Sequence, residues 1–208
     1  MTAGTGVALT FDDGPDPEWT PRILDELRRL DVRATFFVLG ERAASQRRLL
    51  RTMRRAGHEI GLHGHAHLRH DEHSREAIES DMNAALAVIG RRTRVWRPPH
   101  GIATAVTEEL AREYRLELVH WTADTVDWEA DQDAEAMLGR VEPLLDPGAI
   151  VLMHDAVGPG SPRDSPAPTL ALIEPLVAAI TARGLSVSAP ARRAGPRSWG
   201  RGGRAPAG

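Results

Sequence analysis

Short apolar runs alternate along this chain with longer stretches of helical periodicity. "VALTF" (7–11), "ATFFVLG" (34–40), "HEIGL" (58–62), "RVWR" (94–97), "LELVHW" (116–121), "AIVLM" (149–153) and "LSVS" (185–188) read as strands, being short and rich in β-branched or aromatic residues. Thr20 followed by Pro21 predicts an N-cap and first helical position for a helix to about Leu30. "RAASQRRLLRTMRRAG" (42–57) predicts a helix closed by Gly57, and Ser74 caps another that runs to Ile89 before Gly90. Further helices are expected over 104–115, near 131–144, and over 169–183 after a Pro/Gly/Ser-rich loop at 158–168.

About seven β/α units of this kind predict parallel strands joined by helical crossovers. An open doubly wound sheet and a barrel both fit. Neither GxGxxG nor a P-loop is present to favour a nucleotide-binding open sheet. Polar residues instead follow the ends of many strands: Asp12 and Asp13, His63 onward, Arg97, Asp124 and Asp127, His154 and Asp155. A barrel gathers the C-terminal ends of its strands at one mouth, where its chemistry sits. A closed or nearly closed barrel is therefore expected.

The 208 residues, 41% apolar and 26% charged, suit one soluble domain with a substantial core, expected over 1–188. No apolar run approaches the roughly 18–20 residues of a membrane span, so no membrane partner is expected. The N-terminus lacks a basic segment followed by an apolar one. That predicts either a cytoplasmic protein or a trimmed form of a secreted one. There is no cysteine, which excludes disulfides and thiolate ligands. All 26 basic residues are arginine. Five of them lie in 189–208 beside many Gly, Pro and Ala and no acid, so that tail is expected to be disordered. The remainder is then more acidic than the whole chain's net −3, without a basic face suited to nucleic acid. A monomer is expected.

"EIGLHGHAHLRH" (59–70) places four of the nine histidines within eight residues. Such a cluster is a metal site, a catalytic base with neighbours, a pH-sensitive surface or chance. "TFDDGP" (10–15) ends the first strand with adjacent carboxylates, which cannot comfortably share an apolar site unless a cation sits there. Taken alone it also reads as a turn with capping acids. Together the two stretches make a His-His-Asp site plausible, since two imidazoles and a carboxylate suit zinc and leave a position for water.

"TFDDGP", "HGHAH", "RPPHG", "DTVDW" and "LMHD" follow in an order and at spacings that resemble the five motifs of NodB-type polysaccharide deacetylases, carbohydrate esterase family 4. The resemblance runs from about Val7 to Val187. It implies a distorted, incomplete (β/α)7-type barrel and metal-dependent removal of acetyl groups from carbohydrates. The group removed is mostly N-acetyl from amino-sugar polymers such as chitin oligomers or peptidoglycan, and in some members O-acetyl from xylan. Residue by residue it implies Asp13, His63 and His67 as ligands of a divalent ion, Zn²⁺ or alternatively Co²⁺. Asp12 is implied as general base, held by Arg97, and His154 as general acid, oriented by Asp127. The His100 N–H is implied as an oxyanion donor, with Trp128 and Leu152 walling the acetyl pocket. His65 falls at a variable position and His70 beyond the motif; both are expected on the surface or rim. His58, His73, His120 and Asp124 are expected to be structural.

Gly64 stands where the family motif carries Ser or Thr, and His100 where many members carry an aromatic. The leading expectation is an acetylated-carbohydrate deacetylase. The alternatives are an amide hydrolase or deformylase acting on a small substrate and a non-catalytic carbohydrate-binding module. Acid, base and open metal site together argue against the module.

Overall fold

Residues 6–188 are described by the computed structural model, and the tail expected over 189–208 lies outside them. The strands are β1 (Gly6–Asp12), β2 (Thr35–Val38), β3 (Glu59–Leu62), β4 (Val95–Trp96), β5 (Glu117–Leu118), β6 (Ala123–Asp124), β7 (Ile150–His154) and β8 (Ser186–Ser188). They form one parallel sheet in the order β5-β4-β3-β2-β1-β7-β6, with β8 on β1. The sheet curls but does not close. β5 and β6 end the path unpaired with each other, beside a cavity of about 120 Å³ lined by Leu118, Val119, Trp121 and Ile150 among others. This is the incomplete barrel that the resemblance implied, more open than the closed or nearly closed one expected from the polar strand ends.

All seven residues of β1 are buried because the sheet is covered on both sides. Leu9 and Phe11 face the main core with Phe36, Leu62 and Trp96, where the helices pack. The alternate side belongs to the barrel interior. There Ala8, Phe37, Val95, Val119 and Ile150 form a small apolar floor. Thr10 and Asp12 follow Ala8 on that side, so the interior turns polar toward the C-terminal ends. Register completes the arrangement: Asp12 lies beside Phe37 and His154, and Leu62 beside Trp96. His63 and Arg97 therefore leave adjacent strand ends.

The helices are α1 (Trp19–Arg29), α2 (Gly40–Ser45), α3 (Arg47–Arg55), α4 (Arg75–Ile89), α5 (Ala105–Tyr114), α6 (Ala134–Val141) and α7 (Ala167–Ala182). Ser74 caps α4 as expected, and Thr104 with Thr107 forms a capping box for α5. Four local expectations change. Thr20 is not the cap of α1: Asp16 Oδ1 accepts from the N–H groups of Glu18 and Trp19, while the Thr20 hydroxyl turns inward to Asp155. The helix expected over 42–57 is two, because Gln46 N–H closes on Ala43 O and ends α2 early. Only Glu117–Leu118 of the fifth expected strand pairs, and β6 follows as an additional two-residue strand across the gap. Charge is also unevenly spread. Arg54, Arg91, Arg92 and Arg94 line a cleft of about 580 Å³ at the N-terminal ends of β3 and β4, a basic region that net charge conceals.

Candidate active site

Arg97 enters the barrel interior from the end of β4 and is fully buried. It donates to Asp12 Oδ1 (2.7 Å), Thr10 Oγ1 (2.9 Å), Val119 O (3.1 Å) and His120 O (3.3 Å). Its guanidinium lies 4.2 Å from the Phe37 ring centroid. Burial works against the arginine charge and Asp12 supports it. The result is a carboxylate at the end of β1 held in one orientation by a cation with little freedom.

Asp13 leaves β1 with φ 72°, which turns its side chain away from the strand's alternation. Its Oδ1 lies 3.4 Å from both His63 Nε2 and His67 Nε2. One potential ligand atom from each of the three residues falls within 4.8 Å of the others. His63 Nδ1 is 2.8 Å from Arg97 O, which makes Nδ1–H the donor and leaves Nε2 facing Asp13. No hydrogen-bond donor satisfies Asp13 Oδ1 among the described residues. Burial would raise the Asp13 pKa, but the imidazoles of His63, His154 and His67 around it hold it well below the usual carboxylate range. Burial and the neighbouring His63 push His67 down to about 3, so it is neutral. His63 is disfavoured as a cation by burial, yet the Asp12 and Asp13 carboxylates raise it on balance. A proton on His63 and a metal ion thus compete for one carboxylate-lined position. An orphaned buried carboxylate oxygen facing two imidazole nitrogens is a donor set that fits a divalent ion.

The loop carrying these histidines is braced from α4. Asp81 accepts from the N–H groups of His65 (2.6 Å) and Ala66 (2.8 Å). Gly64 has φ 86°, a conformation that favours glycine, and the carboxylate supplies a brace where a Ser or Thr hydroxyl is absent. His65 is not among the grouped ligands. His70 is buried rather than on the rim: its Nδ1 is 2.8 Å from Thr107 Oγ1 and its ring packs 5.3 Å from Trp96.

On the other flank His154, the last residue of β7, has its Nδ1 2.6 Å from Asp127 Oδ1. Burial would lower the His154 pKa, but the Asp127 carboxylate pushes it up to about 9. Asp127 falls to about 2, burial being outweighed by the charge of His154. Asp124 Oδ1 accepts from Val126 N–H (2.8 Å), bracing the turn that presents Asp127. His100, exposed and with φ 57°, lies 4.5 Å ring to ring from His67. Trp128 is 41% exposed, whereas Leu152 is buried.

Sequence reasoning missed Arg163 and Thr169, whose side chains donate to Asp127 Oδ2, and the Asp81 brace. It also gave no role to Asp155. That buried carboxyl accepts from Thr20 Oγ1 (2.5 Å), and burial pushes it up to about 7.

A family model described as polysaccharide deacetylase matches residues 2–119. A peptidoglycan-N-acetylglucosamine deacetylase of Bacillus cereus is 36% identical over 157 residues, 73% of this chain but only 56% of that protein. A chitooligosaccharide deacetylase of a Bradyrhizobium species is 36% identical over 197 residues, 87% of each chain. Among solved structures, a family 4 carbohydrate esterase from Streptomyces lividans, in complex with acetate, superposes with a TM-score of 0.78. It is 30% identical, over 89% of this chain and 92% of that one. The chain belongs to the polysaccharide deacetylase family.

Proposed function

We propose that this protein is a metal-dependent hydrolase that removes N-acetyl groups from oligo- or polysaccharides containing N-acetylglucosamine. One observation carries the reading: a buried Asp-His-His donor set lies between a carboxylate held by arginine and an imidazole held by a carboxylate. The similarity to peptidoglycan and chitooligosaccharide deacetylases supports the substrate class.

Asp13, His63 and His67 would hold the ion, and Zn²⁺ suits two imidazoles and a carboxylate. When bound, it polarises a carbonyl and makes water a better nucleophile near neutral pH. Asp12 accepts the proton of the attacking water, and Arg97 fixes the carboxylate for that task. The backbone N–H of His100 donates to the oxyanion. His154 enters the reaction protonated, because Asp127 holds the proton on its ring, and gives a proton to the departing nitrogen. Trp128 and Leu152 bound the space for the acetyl methyl.

Acetate release from chito-oligosaccharides, acetyl xylan and small N-acyl compounds, with added Zn²⁺ or Co²⁺, tests the reading. The N-acetylglucosamine oligomers should turn over. Asp12→Asn should keep its metal while its rate falls by about 10²–10⁴-fold. Turnover of small N-acyl compounds alone, or full activity of metal-loaded Asp12→Asn, would refute it.

A further inference from the structure

Arg163 lies in the loop between β7 and α7 and is only 7% exposed. Nη1 donates to Asp127 O (2.8 Å), Asp127 Oδ2 (3.0 Å) and Thr169 Oγ1 (2.9 Å). Nη2 donates to His154 O (3.2 Å) and Ala156 O (2.6 Å). One guanidinium therefore ties together the turn that presents Asp127, the end of β7 and the start of α7.

We infer that Arg163 is a positioning residue for proton donation, fixing the Asp127 carboxylate so that it presents one oxygen to His154; the inference rests on the reading of His154 as the acid. The division of labour between the two oxygens carries it. Oδ2 accepts from Arg163, from Thr169 Oγ1 (2.5 Å) and from the His154 backbone N–H (2.9 Å). Oδ1 is left to His154 Nδ1 at 2.6 Å. With Oδ2 occupied, rotation of the carboxylate would break three hydrogen bonds, so the imidazole keeps Nδ1–H toward Asp127 and turns Nε2 to the site. Val126, β-branched, sits at φ 57° just before Asp127, a conformation that persists where surrounding contacts over-determine it. Lysine cannot substitute: the planar fork reaches acceptors on both sides at once, whereas an ammonium is a single point. The same loop reaches the substrate side, since Ser161 Oγ donates to Trp128 O (2.6 Å).

The experiment compares two leaving groups in the metal-loaded full chain. An amine needs a proton as the C–N bond breaks; a nitrophenolate does not. Arg163→Lys and Arg163→Ala should slow hydrolysis of an N-acetylglucosamine oligomer by about 10-fold and 10²-fold more, respectively, than hydrolysis of 4-nitrophenyl acetate. Added guanidinium should restore part of the selective loss in Arg163→Ala. His154→Ala is the control and should show the same selectivity. Equal losses on both substrates in the Arg163 variants, with selective loss in His154→Ala, overturn the positioning role alone. Equal losses in His154→Ala overturn the acid assignment and the inference with it. Should Arg163→Ala fail to fold, Arg163→Lys decides, because it keeps the charge and most of the volume; an unchanged ratio there refutes the role.

Discussion

Asp13, His67 and His100 all adopt positive φ, as does Val126 before Asp127. Such backbone conformations cost of order 1–3 kcal/mol each outside glycine and persist where surrounding contacts over-determine them. In the histidine loop one such contact is Asp81, which takes two backbone N–H groups between His63 and His67. His67→Ala should therefore lose most of the metal, His65→Ala should retain it, and Asp81→Ala should weaken affinity about tenfold. Metal analysis and competitive chelation on the purified variants measure this; equal metal loss in His65→Ala would reassign the ligands. The adjacent carboxylates and clustered histidines were legible because they are neighbours in sequence. Asp81, Arg163 and Thr169 were not. Their roles arise from bonds spanning 16, 36 and 42 residues, and one arginine among 26 carries no local mark of its partner.

Elements were legible where burial marks neighbouring residues: one buried face gives a helix its period, and burial on both faces makes a strand a short apolar run. α4 begins at the expected cap, α5 lies within its expected bounds, and β1, β2, β3 and β7 sit where the apolar runs lie. β6 was not legible, since Ala123–Asp124 is a two-residue strand without an alternation to detect. The division of α2 from α3 was hidden because the requirement comes from outside the helix. α2 meets α4 and the histidine loop: Gly40 N–H donates to Gly64 O (2.9 Å) and Glu41 N–H to His65 O (3.2 Å). A Cβ on Gly40 would stand 2.7 Å from Ala85 Cα and 2.5 Å from His65 Nδ1. Backbone of α4 cannot yield as a flexible side chain would. Gly40→Ala should cost about 1–3 kcal/mol, read as a lower melting temperature, and should also weaken metal binding through the displaced loop. An unchanged melting temperature would mean that α2 shifts freely on α4.

Across the whole molecule, the half-barrel leaves β5 and β6 unjoined, and buried charge takes a large part in holding the strand ends together. Arg97 links β1 to the segment after β5, and the Asp127–His154–Arg163 cluster links the segment after β6 to β7 and the start of α7. Such pairs make stability depend on pH. His154 is raised to about 9 in the folded chain from an ordinary 6.5, so it binds its proton more tightly when folded. Its contribution is fully present below pH 6.5 and is lost as pH rises through about 9. Asp127, lowered to about 2 from 3.8, contributes above pH 3.8 and loses that contribution as pH falls through about 2. His58 and His70, at about 4, and His67, at about 3, act in the opposite sense to His154. They are buried neutral, so the unfolded chain binds more protons and stability rises with pH toward 6.5. Asp155, raised to about 7, and Asp124, also raised by burial, oppose that rise, but His100, also lowered by burial, joins the other three histidines against them. The metal-free protein should therefore show a melting temperature that peaks near pH 6.5 and declines toward pH 9. Asp127→Asn should melt lower throughout and lose most of the alkaline decline, because His154 then has no carboxylate to keep its proton. Calorimetry from pH 4 to 10 in a chelator separates the two limbs. A wild-type curve flat between pH 6.5 and 9 would mean that Asp127 does not hold His154 charged, and the acid would then have to be protonated by some other group.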